Sequence, residues 1–171
     1  MKVFGLKTDY TLYRDERART VVCYGKEDVD ENNATWHEVY FYKRKDGIPK
    51  FKKAKDGIEK DINDQTDEKI LNGLVWNDMP VYLSSENQFN FKSAFDRAVQ
   101  TNGANLPVKF KLGEQDGEPV YHTFTELSEL TDFYDAASLH ILTCLNEGWA
   151  RKDGIDWDEY KPFFPVVPEN Q

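Results

Sequence analysis

Cysteine is scarce in this 171-residue chain: Cys23 and Cys144 are the two present, far apart and outside any CxxC pattern. That spacing signals neither a disulfide framework nor a structural zinc site, and both side chains read as buried thiols. There is no run of about 18 apolar residues to cross a membrane. The start, Met1-Lys2-Val3-Phe4-Gly5, lacks the long apolar segment of a signal peptide, so a soluble protein made in the cytosol is expected. Excess positive charge is also lacking, with 31 acidic residues against 22 basic ones, a net charge of −9 and a pI near 4.9. Such a field repels nucleic acid and anionic lipid, so neither nucleic acid nor membrane is expected as a partner, although the basic stretch from Lys43-Arg44-Lys45 to Lys55 can act locally.

Catalytic motifs are missing too. No Walker loop, GxSxG or GxGxxG occurs. None of His37, His122 and His140 has a nucleophile or metal ligand at motif spacing. His140 and Cys144, one helical turn apart, raise the idea of a thiol with its base, but a catalytic thiol must be accessible and activated, and a buried helix face is the preferred reading. Asp153, Asp156, Asp158 and Glu159 raise a metal or acid/base site, against which stands a solvated loop with Ile155 and Trp157 as anchors. Asp61-Ile62-Asn63-Asp64-Gln65 faintly follows a calcium loop but has Thr66 where that loop needs glycine. Asn33-Ala34-Thr35 fits a glycosylation acceptor and is read as a turn entering a strand. The expectation is a non-enzyme with no catalytic residue, cofactor or metal.

What the chain does have is aromatic side chains, 14% of its residues within a hydrophobic total of 39%. With 31% charged residues and a mean hydropathy of −0.74, this composition is globular. The pattern predicts an α+β fold in three parts: a β-meander over 1–48, a main domain over 49–160 and an extended proline-rich tail over 161–171. In the meander, residues 10–14 and 20–24 form a hairpin and 36–43 a third strand. Trp36, Glu38, Tyr40 and Tyr42 share one face of that strand and His37, Val39 and Phe41 the other, so cover on both sides is expected. Asp46-Gly47-Ile48-Pro49 marks a linker, and a short helix over 54–63 follows.

Two units of strand, turn, strand and helix come next, each carrying Pro-Val-Tyr, at Pro80-Val81-Tyr82 and Pro119-Val120-Tyr121. In the first, 70–76 and 79–83 flank Asn77-Asp78, and Ser85 with Gln88 predicts a capping box for a helix ending near Gln100. The buried stripe of that helix is Phe91, Phe95, Ala98 and Val99. In the second, 108–112 and 120–124 flank Asp116-Gly117, and a long helix carries Leu127, Leu130, Tyr134, Ala137, Ile141 and Leu145 at three- and four-residue spacing. The two hairpins are expected to form one antiparallel sheet with both helices on the same face.

The tail, Pro162-Phe163-Phe164-Pro165-Val166-Val167-Pro168, is polyproline-like and carries four large apolar side chains. Burying each gains roughly 1.5–3 kcal/mol, so the tail is expected to dock, either on its own domain or on another subunit. The meander holds more aromatics than its area can bury. Tyr10, Tyr13, Trp36, Tyr40 and Tyr42, with Phe163, Phe164, Val166 and Val167, are therefore the candidate partner-binding residues, the alternative being that the meander aromatics stack on the main domain.

The segment from Asp67-Glu68-Lys69-Ile70 through Trp76-Asn77-Asp78-Met79-Pro80-Val81-Tyr82-Leu83-Ser84-Ser85 to Phe91 resembles a domain of unknown function found in tailed-phage and prophage proteins. In that family it is attached to, or encoded near, tail-fibre components. The likeness continues through Leu106-Pro107-Val108, Tyr121-His122-Thr123-Phe124, the long helix to Gly148-Trp149, and Asp153-Gly154-Ile155-Asp156-Trp157. It is similar in style to small proteins of gut Bacteroidales phages and covers roughly residues 55–160. The likeness rests on strand endings, caps and aromatic positions, and supplies no active site. It implies a virion or tail-associated structural protein, made in the bacterial host cytoplasm, whose partners are other virion or tail proteins or further copies of itself. A tail-fibre assembly chaperone or a host-directed inhibitor is the alternative.

Overall fold

The computed structural model describes residues 1–43 and 48–164. Val166 and Val167, and most of the linker around Asp46-Gly47, lie outside the described residues. The fold is α+β, as the pattern predicts. By compactness the chain divides into two units, one made of Met1–Asn63 with Trp149–Gln171 and the other of Asp64–Gly148.

The first unit holds a four-stranded antiparallel sheet built from β1 (Lys2–Leu6), β2 (Tyr13–Asp15), β3 (Arg19–Asp28) and β4 (Asn33–Tyr42) in the order β1-β4-β3-β2. The strands expected near 20–24 and 36–43 are there, the one expected over 10–14 is confined to Tyr13–Asp15, and β1 is an addition that the sequence pattern conceals. It is a short edge strand whose fourth residue is glycine, and Gly5 is needed because the Trp36 ring lies under it: a Cβ there would come within 2.7 Å of Trp36 Cη2. Register places Val3 opposite Trp36, Cys23 opposite Glu38 and Val22 opposite Val39. Strand alternation then sends Val22, Tyr24, Val39 and Phe41 to one face and Val21, Cys23, Ala34 and Trp36 to the other. Both faces are covered, as the double-sided aromatic pattern of β4 predicts.

The first face packs on α1 (Phe51–Asn72), 22 residues long where the sequence predicts a helix over 54–63. Ala54, Ile58, Ile62, Thr66 and Ile70 recur every fourth residue and are all buried, a continuous stripe that the polar Thr66 obscures. Gly57 does not break the helix. It lets β4 approach, since a Cβ there would lie 2.6 Å from Phe41 Cζ. After Asp153 the chain adds α4 (Trp157–Tyr160) and a 3-10 turn at Lys161–Phe163, and Tyr160 and Phe164 are buried beside Val22, Ala54 and Ile58. Of the tail residues described, Phe164 therefore docks within its own unit.

The second unit contains β5 (Leu74–Trp76), β6 (Met79–Val81), α2 (Ser85–Gln100), β7 (Val108–Gln115), β8 (Glu118–Phe124) and the part of α3 (Leu127–Asp153) up to Gly148. Both hairpin turns have positive φ at each central residue, 48° and 60° at Asn77-Asp78 and 54° and 83° at Asp116-Gly117, the conformation that matches strand twist. Three corrections to the sequence reading arise here. Ile70 belongs to α1 and not to a strand. The cap of α2 is Ser84, whose Oγ accepts from the Asn87 N–H at 3.2 Å, while Gln88 donates to the Leu83 carbonyl. The hairpins form two separate two-stranded ladders joined by a bond from the Tyr82 N–H to the Leu112 carbonyl at 2.7 Å. The ladder stops there because the Leu83 N–H turns to the Leu71 carbonyl and β7 bulges between Lys111 and Gly113.

The core of this unit is a cluster of Trp76, Phe91, Phe124 and Phe133 with ring centroids 5.0–5.6 Å apart. Helix α3 buries Leu130, Phe133, Ala137, Cys144 and Gly148. Its core face is rotated from the one predicted, so Tyr134, Ile141 and Leu145 are only half-buried.

Candidate functional site

The predicted aromatic residues separate into two groups on the first unit. Trp36 and Tyr40 lie with Glu38 on one face, where Tyr10 meets the Trp36 ring edge-on at 5.8 Å. Tyr13 pairs with Val22 on the other face and contacts both tail phenylalanines, stacked on Phe163 at 5.4 Å and edge-on to Phe164 at 5.6 Å. Trp36 and Phe164 are buried, Tyr10, Tyr13 and Tyr40 half-buried, and Tyr42 and Phe163 exposed.

Around Trp36 and Tyr40 the sheet carries a buried carboxylate that sequence reasoning placed on this face without giving it a role. Glu38 Oε1 accepts from Arg14 Nη2 at 2.7 Å and from Trp36 Nε1 at 3.1 Å, and its Oε2 accepts from the Tyr40 hydroxyl at 2.7 Å. Burial pushes the Glu38 carboxyl up, but the three hydrogen bonds and the Arg14 charge outweigh it, and the group ends below its ordinary value. The reciprocal effect appears on Tyr40, which burial and the bond to Glu38 push up to about 12. Cys23, opposite Glu38, is pushed up to about 11 by burial despite the nearby Arg14. Each donor is committed to the carboxylate, so this cluster ties β2 to β4 and holds no group poised for proton transfer.

The other titratable candidates are also committed. His140 Nε2 lies 3.0 Å from the Lys69 carbonyl, which only an N–H can satisfy, so this nitrogen is the donor and cannot take a proton from Cys144, 3.7 Å away. Burial raises the Cys144 thiol as well. His122 bonds Glu129 at 2.8 Å, joining β8 to α3. In the acidic stretch after α3, Asp156 caps α4 by accepting from the Asp158 N–H at 2.9 Å, and Ile155 and Trp157 are half-buried against the core. Among the described residues no group of three or more His, Cys, Asp or Glu side chains is arranged to hold a metal, and none of the helices is long and apolar enough to cross a membrane.

Charge is distributed unevenly. Residues 64–148 hold fourteen Asp and Glu against five Lys and Arg, and the rest of the chain balances seventeen against seventeen, so the second unit carries the whole net charge of −9. The same unit displays large apolar side chains on regular elements: Phe89 is 70% exposed on α2, and Leu139 and Leu142 are 65% and 51% exposed on α3. This surface was missed because periodicity finds the face a helix buries and does not register apolar residues on its outer side.

Comparison with protein-family models, with curated proteins and with solved structures finds no match to this chain.

Proposed function

We propose that this protein works by binding other proteins, with no chemical step of its own, as a small bacteriophage virion component associated with the tail or its fibres. The observation that carries the binding reading is the coincidence, on residues 64–148, of the entire net charge with exposed Phe89, Leu139 and Leu142. An acidic surface with apolar side chains steers a basic partner by long-range attraction, worth about 10- to 1000-fold in association rate, and then offers it contact area. The commitment of Glu38, His140 and both cysteines to internal contacts is in keeping with it. The phage setting is supported by the sequence resemblance alone.

The test is quantitative mass spectrometry of purified virions from a host producing the protein. A fixed copy number relative to tail proteins is expected. Absence from the particles, with recovery bound to a free fibre subunit or to a host protein, would replace the virion role with that of an assembly chaperone or inhibitor.

A further inference from the structure

The half-buried α3 residues Tyr134 and Ile141 face a groove against α2. One part, about 320 Å³, is lined by Phe89, Tyr134 and Ile141 among others. An adjoining part, about 550 Å³, is lined by Asp64, Asp67, Glu68 and Leu145. The two share Ser85, Gln88 and Ile141, so the groove is continuous, apolar at one end and carboxylate-rich at the other. Leu142, one turn beyond Ser138, extends the apolar end onto the outer side of α3.

We infer that this groove holds a short amphipathic segment of another protein, which sets a large apolar side chain against Phe89, Tyr134 and Ile141 and lysine or arginine against Asp67 and Glu68. The inference rests on the protein-binding reading above and supplies the chemistry of the partner. Charge decides the class of occupant. Asp67 and Glu68 are exposed, and Glu68 takes a neutral donor, the Asn72 amide, at 2.8 Å; a neutral or acidic segment laid over them would strip their water and leave the charge unanswered, whereas a basic one answers it with ion pairs. At the apolar end the cation Lys92 is offset by Asp96 at 2.6 Å, so it does not oppose a basic segment. The volumes, about 320 and 550 Å³, suit several side chains of a short segment, as expected for one that binds by a few anchors.

The test uses the full chain and a short helical peptide of leucine and lysine, with a leucine and glutamate peptide of the same pattern beside it. The lysine peptide is expected to bind saturably, to perturb amide resonances in 64–68, 85–92 and 134–145, and to outbind the glutamate peptide. Phe89→Ala, at an exposed position, and the double change Asp67→Lys with Glu68→Lys are each expected to weaken binding at least about tenfold, or about 1.4 kcal/mol. Glu118→Lys with Glu126→Lys, equal in charge but outside the groove, should change it less than about twofold. Lack of saturable binding, or equal loss in the control, would overturn the inference. A Phe89→Ala change that converts a dimer to a monomer in sedimentation would assign the groove to a second copy and overturn it too. If virions contain the protein but the peptide does not bind, the groove inference alone falls; if the peptide binds and virions lack the protein, the virion role alone falls.

Discussion

Glu38 shows what a single buried carboxylate does to this sheet. Because its folded pKa is depressed, it contributes stability that is present above the unfolded value near 4.3 and lost as pH falls through the folded one. Glu38→Gln keeps the shape but leaves Arg14 with only the longer ion pair to Glu16, at 3.7 Å. Arg14 is 32% exposed and recovers some hydration, so the expected loss is about 2 kcal/mol at pH 7, below the roughly 3–5 kcal/mol of a fully buried pair. In urea titrations the gap between wild type and variant should narrow as pH is lowered through the acid range; a constant gap would show that the carboxylate charge is not what stabilises. At the same scale, burial keeps both thiols protonated, Cys23 up to about 11. Neither Cys23 nor Cys144 should react with a thiol reagent at pH 8 in the native state, and both should react in denaturant. Glu38's place on the Trp36 and Tyr40 face is legible from strand alternation. Its charged partner is not, since Arg14 lies 24 residues away and pairing register is fixed by the whole sheet.

At the scale of elements, the sequence reveals turns and long amphipathic helices most clearly and their limits least. Asn77-Asp78 and Asp116-Gly117 are legible because few residue pairs accept positive φ twice. The length of α1 was hidden by Gly57 and Thr66, each of which reads locally as a break but sits at a close contact, Gly57 making room for the Phe41 ring and Thr66 lying where Gly148 makes room for it. The core face of α3 was misplaced because periodicity fixes an apolar arc, and the arc here is wider than the core it covers. Gly113 tests the join between the hairpins: a Cβ there would lie 2.5 Å from the Pro80 carbonyl oxygen, so Gly113→Ala should cost about 1–3 kcal/mol in denaturant titration. The two tail phenylalanines should separate sharply. Phe164 is 5% exposed and Phe163 is 43% exposed, so Phe164→Ala should lose about 3–5 kcal/mol and Phe163→Ala no more than about 1.5 kcal/mol. Similar losses from both would mean that stacking on Tyr13 matters as much as burial.

For the whole molecule, composition reported the net charge but not its location, which emerges only when the compact units are known. Association of the second unit with a basic partner should therefore slow steeply with ionic strength, and replacing acidic residues within 64–148 should reduce that slope more than equal replacements elsewhere, as stopped-flow measurements would show. The first unit is assembled from two separate lengths of chain, and the Tyr160 hydroxyl donates to the Cys23 carbonyl across 137 residues. During synthesis at about 5–20 residues per second, those partners emerge roughly 7–27 s apart. The nascent N-terminal sheet thus leaves the ribosome with Val22 and Tyr24 awaiting their last aromatic neighbours, while the hairpin unit is completed first. The order of translation is therefore the reverse of the order in which the two cores close, and a sheet whose four strands are all made by Tyr42 keeps one face unfinished until Tyr160 and Phe164 emerge.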